Sequence, residues 1–211
     1  ESGEWTAFRT RPFSKAPAID AVPHAIFVTA TDSNPLAAPC DLVAEGRDAD
    51  LKSGLEAVRK LTGGKVYFCK AVGSRLTAQG VQGVQTEEFG GPHPSGLAGT
   101  HIHFLEPVSR KKTVWTIGLQ DLIAIGSLFR TGQINVDRII SLAGPGARKP
   151  RLLKTRRGAS TLELCEGELH EGEQRIVAGP ILSGRKAGDE VTAYLGRFHH
   201  QISLVPEGRA R

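Results

Sequence analysis

The sequence predicts an α/β fold in two parts. Two observations carry this reading. Residues 25–70 follow a strand, helix, strand order, and past Asp137 the pattern changes to short β-prone segments separated by Gly and Pro turns. The length of 211 residues suits one large domain or two small ones, each able to bury a core.

The elements follow in order. Trp5–Lys15 alternates aromatic and basic residues and runs into Pro12, Pro17 and Pro23, which favours extended or loop structure. Ala25–Ala30 is a short, continuous β-prone apolar run ending in the turn-rich Thr31–Pro35, the profile of a buried parallel strand. From Asp48, the residues Leu51, Leu55, Val58 and Leu61 recur at helical spacing until Gly63 and Gly64 stop the pattern. Lys65–Lys70 is the next strand, so a right-handed βαβ crossover is expected. Glu87–Phe104 is glycine-rich and reads as an irregular loop, either packed on the sheet or binding a ligand. Thr113–Ile117 alternates as a strand, and Leu119, Leu122, Ile123, Leu128 and Phe129 form a helical stripe ended by Gly132. In the second part, Arg138–Ala143 is a strand and Gly144–Gly146 a turn. Further short strands are expected at 151–155, 174–178, 193–195 and 201–205, with a short helix near 160–166. The boundary falls near residue 136, giving domains over 1–136 and 137–211, and no repeat of fixed period is visible.

Composition excludes several classes. With 39% apolar and 23% charged residues the chain is neither disordered nor fibrous. No stretch approaches the roughly 20 consecutive apolar residues of a spanning helix. The three cysteines, Cys40, Cys69 and Cys165, are far apart and form no CxxC pair, so a reducing compartment is expected. The chain opens at Glu1 without a signal peptide and contains no Met, and it reads as an excised core of something longer. The net charge of +5 raises the question of nucleic acid. Its main support, the run containing Arg148, Lys149, Arg151, Lys154, Arg156 and Arg157, lacks interleaved aromatics. The acidic block Glu163, Glu166, Glu168, Glu171 and Glu173 follows at once. A solvated face or a docking face is expected there, and no nucleic-acid partner.

The candidate chemistry is sparse. His101 and His103 would share a face on a strand, with His93 eight residues earlier, but on a helix they diverge. No metal site is expected; hydrogen-bonded structural or ligand-orienting histidines are the favoured reading, with proton-transfer histidines as the alternative. The glycine-rich segment matches neither GxGxxG nor GxxxxGK[ST], and no GxSxG context supports a hydrolase. No catalytic residue is assigned. Trp5, Phe8, Arg11, Phe13 and Lys15 could line a site for an apolar ring with polar substituents, or form a packing segment.

Several stretches taken together resemble the A subunit of the bacterial sodium-translocating NADH:quinone oxidoreductase. They include Trp5–Lys15, Pro23–Ala30, Asn34–Ala38, the long block Glu88–Pro107, Gln120–Gly126, Ser141–Pro145, Pro150–Leu152 and Tyr194–His199. They run in order over nearly the whole chain.

The resemblance implies a Rossmann-like domain similar to the flavoprotein subunit of respiratory complex I, followed by a β-grasp domain of the soluble-ligand-binding type. It implies a peripheral subunit on the cytoplasmic face of the inner membrane, partnered by the other subunits of the pump, with FMN and iron–sulfur centres held elsewhere in the complex. Ubiquinone is the implied ligand. Trp5, Phe8 and Phe13 would stack on its ring, while Lys15, His101 or His103 would hydrogen-bond its carbonyl oxygens. The alternative is a cofactor-free docking module that assembles the complex through the charged face of residues 148–173. A third reading is a nucleotide enzyme using the glycine loop.

Overall fold

A computed structural model describes residues 2–209. The chain divides into two compact units: one holds the chain up to Ser33 together with Pro39–Asn135, the other Asn34–Ala38 with the chain from Val136 onward.

The first unit is a five-stranded sheet with helices on both faces. Its elements are β1 (Arg9–Arg11), β2 (Ala25–Ala30), α1 (Cys40–Val43), α2 (Asp48–Arg59), β3 (Lys65–Ala71), β4 (Val84–Phe89), α3 (Ala98–Leu105), β5 (Val114–Gly118) and α4 (Leu119–Thr131), after a 3-10 turn at Glu4–Ala7. The strand order is β1-β5-β2-β3-β4; β2 to β5 are parallel and β1 runs antiparallel to β5. Alternation sorts the side chains. Ile26, Val28, Val66, Phe68, Trp115 and Ile117 face α2 and α4, while Ala25, Phe27, Tyr67, Cys69 and Val114 face α3. β2 and the middle of β3, residues 66–69, are buried on both faces, which is why β2 reads as a continuous apolar run.

α2 and α4 pack closely because glycine lies on each. A Cβ at Gly54 would collide with the carbonyl of Leu122, and one at Gly126 with the carbonyl of Asp50. The same crossing buries the Asp50 carboxylate, which accepts from Arg47 Nε at 2.6 Å and from Arg130 Nη1 at 2.5 Å.

Three elements depart from the expected pattern. β4, with the sequence Val-Gln-Thr-Glu-Glu-Phe, is an edge strand and therefore polar. Residues 98–105, expected as loop, are a helix with no side-chain cap. The segment 193–195 is not a strand; Tyr194 makes only an isolated bridge to Ser160.

The second unit contains β6 (Asp137–Ala143), β7 (Arg151–Arg156), α5 (Thr161–Cys165), β8 (Gln174–Ala178), β9 (Arg185–Lys186) and β10 (Gln201–Pro206). The order is β7-β6-β10-β8-β9, with the last strand central, parallel to β6 and antiparallel to β8. α5 is capped by Ser160, whose hydroxyl accepts the N–H of Glu163, and contributes Cys165 to the core of Ile140, Leu142, Ile202 and Leu204. This is the β-grasp arrangement. Asn34–Ala38 joins it through Gln201, whose side-chain amide donates to the carbonyl of Pro35.

Candidate functional site

The aromatic residues of the opening segment come together, but they do so as a wall of the core. Trp5, Phe8 and Trp115 form a cluster with ring centroids 5.5–5.7 Å apart. The Trp5 indole N–H donates to the Pro17 carbonyl at 2.9 Å, which fixes the ring. Beside this cluster is a largely apolar recess of about 270 Å³, lined by Trp5, Phe8, Val58, Leu61, Ile125 and Phe129 among others, with Ser2 and Glu4 at its polar end. Phe129, the last aromatic of α4, is 70% exposed.

The remaining expected ligands lie elsewhere. Phe13 and Lys15 are on the exposed loop after β1 and do not line the recess. Phe13 is 77% exposed and sits with Ser14 in the left-handed region, at φ 79° and 49°, which is uncommon for side chains of this kind. His101 and His103 lie on α3, against the opposite face of the sheet from Trp5 and Phe8. On a helix their two-residue spacing sends them apart. His101 is fully buried, its Nε2–H donating to the Ser95 carbonyl at 2.9 Å and its ring against Phe89 at 4.1 Å. Burial holds its pKa below the usual imidazole range, against the raising effect of the Ser95 hydrogen bond. His103 is exposed and edge-on to Phe104. One site holding Trp5, Phe8, His101 and His103 is therefore not formed: the sheet separates the aromatic pair from the histidines. Leu61, Ile125 and Phe129 also line the recess; Leu61 and Phe129 fall in the two helical patterns read from the sequence, and Ile125 in neither.

At the carboxyl ends of the parallel strands, the loop following β4 folds onto the loop following β2. The Ser33 hydroxyl accepts the N–H of Gly96 at 2.8 Å and lies 3.1 Å from His93 Nδ1. A Cβ at Gly96 would strike the Ser33 backbone, so this glycine serves loop-on-loop packing. Among the described residues no group of three or more His, Cys, Asp or Glu is placed to hold a metal ion.

Two family models match in the order of the two units: one described as NqrA second alpha/beta domain over residues 1–134, the other as NQRA C-terminal domain over 139–189. The chain belongs to the NqrA family, the A subunits of Na(+)-translocating NADH-quinone reductases. Curated relatives bearing that name include those of Saccharophagus degradans, 54% identical over 211 residues, and Neisseria gonorrhoeae, 50% identical over 211 residues. Each alignment covers all of this chain and 47% of the relative. The chain thus spans about half the length of the relatives it matches. Among solved structures, an NAD+-reducing [NiFe]-hydrogenase in the H2-reduced state superposes with a TM-score of 0.62 at 11% identity, over 87% of this chain and 40% of that one. That likeness concerns the fold.

In parallel sheets of this kind, nucleotides sit outside the strand ends where the strand order reverses, here between β2 and β5. In this member of the NqrA family, Asp32 follows β2, and Asp121, in the first turn of α4, follows β5 and is buried. The segments after these two strands thus carry two acidic residues, and Ser33 and Gly96 satisfy one another there.

The charged face of the second unit is partly self-neutralised. Arg151 forms a two-pronged pair with Glu168 at 2.7 and 2.8 Å, and Lys154 pairs with Asp137 at 2.9 Å. Hydrogen bonding to Arg151 holds the Glu168 carboxyl below its usual range. Arg148, Lys149 and Arg156 are exposed around the edge strand β7.

Proposed function

We propose that this region is a ubiquinone-binding, flavin-free part of a peripheral subunit in a sodium-pumping NADH:quinone reductase on the cytoplasmic face of the inner membrane. The observation that carries the quinone reading is the recess beside Trp5 and Phe8: apolar, aromatic on one wall, open at Phe129, and sized for one substituted ring rather than a dinucleotide. Phe13 and Lys15 are left as entrance residues on the neighbouring loop, and His101 and His103 drop out of the site. The flavin-free reading is supported by the sequence at the switch point, where the segments after β2 and β5 carry Asp32 and Asp121 and no GxGxxG pattern. Redox chemistry then belongs to other subunits, and this chain's residues bind and orient the ring.

Titration of the full-length protein with a short-chain ubiquinone analogue, followed by tryptophan fluorescence, tests this. Saturable quenching is expected, several-fold weaker in Phe129→Ala. No saturable change would remove the site from this chain while leaving the family assignment intact.

A second reading, assembly of the complex through the second unit, is favoured by Arg148, Lys149 and Arg156 around an edge strand. Reversing Arg148 and Arg156 would then release the full-length protein from the complex without unfolding it. Retained assembly would count against it.

A further inference from the structure

The amino-terminal edge of the first unit's sheet collects features of which the quinone reading uses only Phe13, Lys15 and Phe129. β1 runs antiparallel, so Arg11 pairs with Val114 at the start of β5 and the chain turns into the 12–24 loop there. That loop returns at His24, whose N–H donates to the Thr113 carbonyl at 2.9 Å. α2 ends at the same edge, where the Thr62 hydroxyl donates to the Pro23 carbonyl at 2.7 Å. α3 ends there too: Glu106 accepts from the Tyr67 hydroxyl at 3.0 Å and is paired with Lys112. α4 starts at the carboxyl end of β5 and brings Phe129 back beside Leu61.

Large apolar side chains project from this edge: Phe13, Ile19, Val22, Phe104 and Phe129, of which Ile19 is 89% and Phe104 71% exposed. The 12–24 loop is pinned from beneath, Pro17 and Pro23 being buried and the Pro17 carbonyl held by Trp5. The exposed side chains are therefore displayed on a fixed backbone. The segments at this edge also carry the exposed cations Lys15, Lys60, Lys65, Arg110 and Lys111. The acidic residues on the same segments are Asp20 and Glu106, and Glu106 is occupied by Lys112 and Tyr67.

We infer that this edge is a membrane-docking surface that lies on an anionic lipid bilayer. Charge complementarity points to lipid phosphates, since the cations greatly outnumber the carboxylates. Each of the five apolar side chains is at least 70% exposed, and of them only Phe129 also lines the recess beside Trp5. A bilayer interface accepts such side chains one at a time, whereas a protein partner would need a matching pocket for each. Neither apolar nor basic signal anchors strongly alone, and this edge supplies both. The inference does not depend on the quinone site.

Flotation of the full-length protein with vesicles tests it, comparing mixed phosphatidylglycerol and phosphatidylcholine with phosphatidylcholine alone. Binding to the anionic vesicles that weakens with salt is expected. The triple variants Phe13→Ser, Ile19→Ser, Val22→Ser and Lys15→Glu, Arg110→Glu, Lys111→Glu should each lower it on the order of tenfold or more, with circular dichroism confirming an intact fold. Absence of binding to anionic vesicles, or binding that both variants retain, would overturn the proposal. So would binding by the edge solely to a protein of the complex.

Discussion

The indole of Trp5 stands edge-on to that of Trp115, their ring centroids 5.5 Å apart and their planes at 84°. These are the only two tryptophans in the sequence, and they differ in access: Trp115 is 1% exposed and Trp5 lines the recess. Ligand quenching should therefore survive Trp115→Phe and disappear in Trp5→Phe. A signal that followed Trp115 would place the ligand elsewhere. The measurement is a fluorescence titration of both variants.

The α2 and α4 crossing gives a steric prediction. Because a methyl at Gly126 would penetrate the Asp50 carbonyl, Gly126→Ala must push the helices apart and is expected to cost about 1–3 kcal/mol. Gly99→Ala, in α3, has open space at its Cβ and should be neutral or slightly stabilising. Urea denaturation of the two variants checks the contrast.

Asp50 makes stability depend on pH. Burial would raise its pKa, but the hydrogen bonds and charges of Arg47 and Arg130 outweigh this and hold it below the ordinary value of 3.8. A carboxylate depressed on folding contributes stability that is fully present above its unfolded pKa and is lost as pH falls through the folded value. The wild type should thus lose stability from about pH 5 downward, and Asp50→Asn should be flatter over that range. At neutral pH the substitution is expected to cost about 1–3 kcal/mol, since it removes the negative charge between two guanidinium groups and leaves them one acceptor oxygen in place of two. Denaturation midpoints across this range decide it.

His101 acts at a higher pH. Its burial disfavours the imidazolium, so its folded pKa lies below the ordinary 6.5. Below 6.5 the unfolded chain takes up a proton that the folded chain resists, and stability falls as pH drops until the folded pKa is passed. Above 6.5 the contribution is constant. His101→Phe should remove this slope between about pH 6.5 and 5, at the cost of leaving the Ser95 carbonyl unpaired. Stability measured at stepped pH in both proteins tests the assignment.

Much of this fold was legible because its central strands are buried on both sides. Residues 25–28 and 66–69 are continuous buried runs, and the stripe of α4 ends at Gly132, which takes φ 71° as a helix stop requires. What escaped notice lay where solvent or glycine rewrites the pattern. β4 has an open edge, so Gln85, Glu87 and Glu88 can replace apolar residues, and α3 begins with Ala98-Gly99 and no capping side chain. The site was legible in composition but not in arrangement. The aromatic content of Trp5–Phe13 was plain, yet alternation along the chain does not reveal that Phe8 turns into the core while Phe13 turns out. Nor could spacing show that His101 lies beneath the far face of the sheet, because that depends on residues 98–105 being helical.

The five residues Asn34–Ala38 belong to the second unit although the first unit's chain surrounds them. On a ribosome this fragment emerges about a hundred residues ahead of the body it completes, on the order of ten seconds at ordinary elongation rates. Every residue of the first unit is made before Val136, and the nascent chain must hold the 34–38 loop in waiting. A gene fragment cut cleanly at residue 136 would accordingly yield a β-grasp body lacking one of its own pieces, with the buried amide of Gln201 deprived of the Pro35 carbonyl.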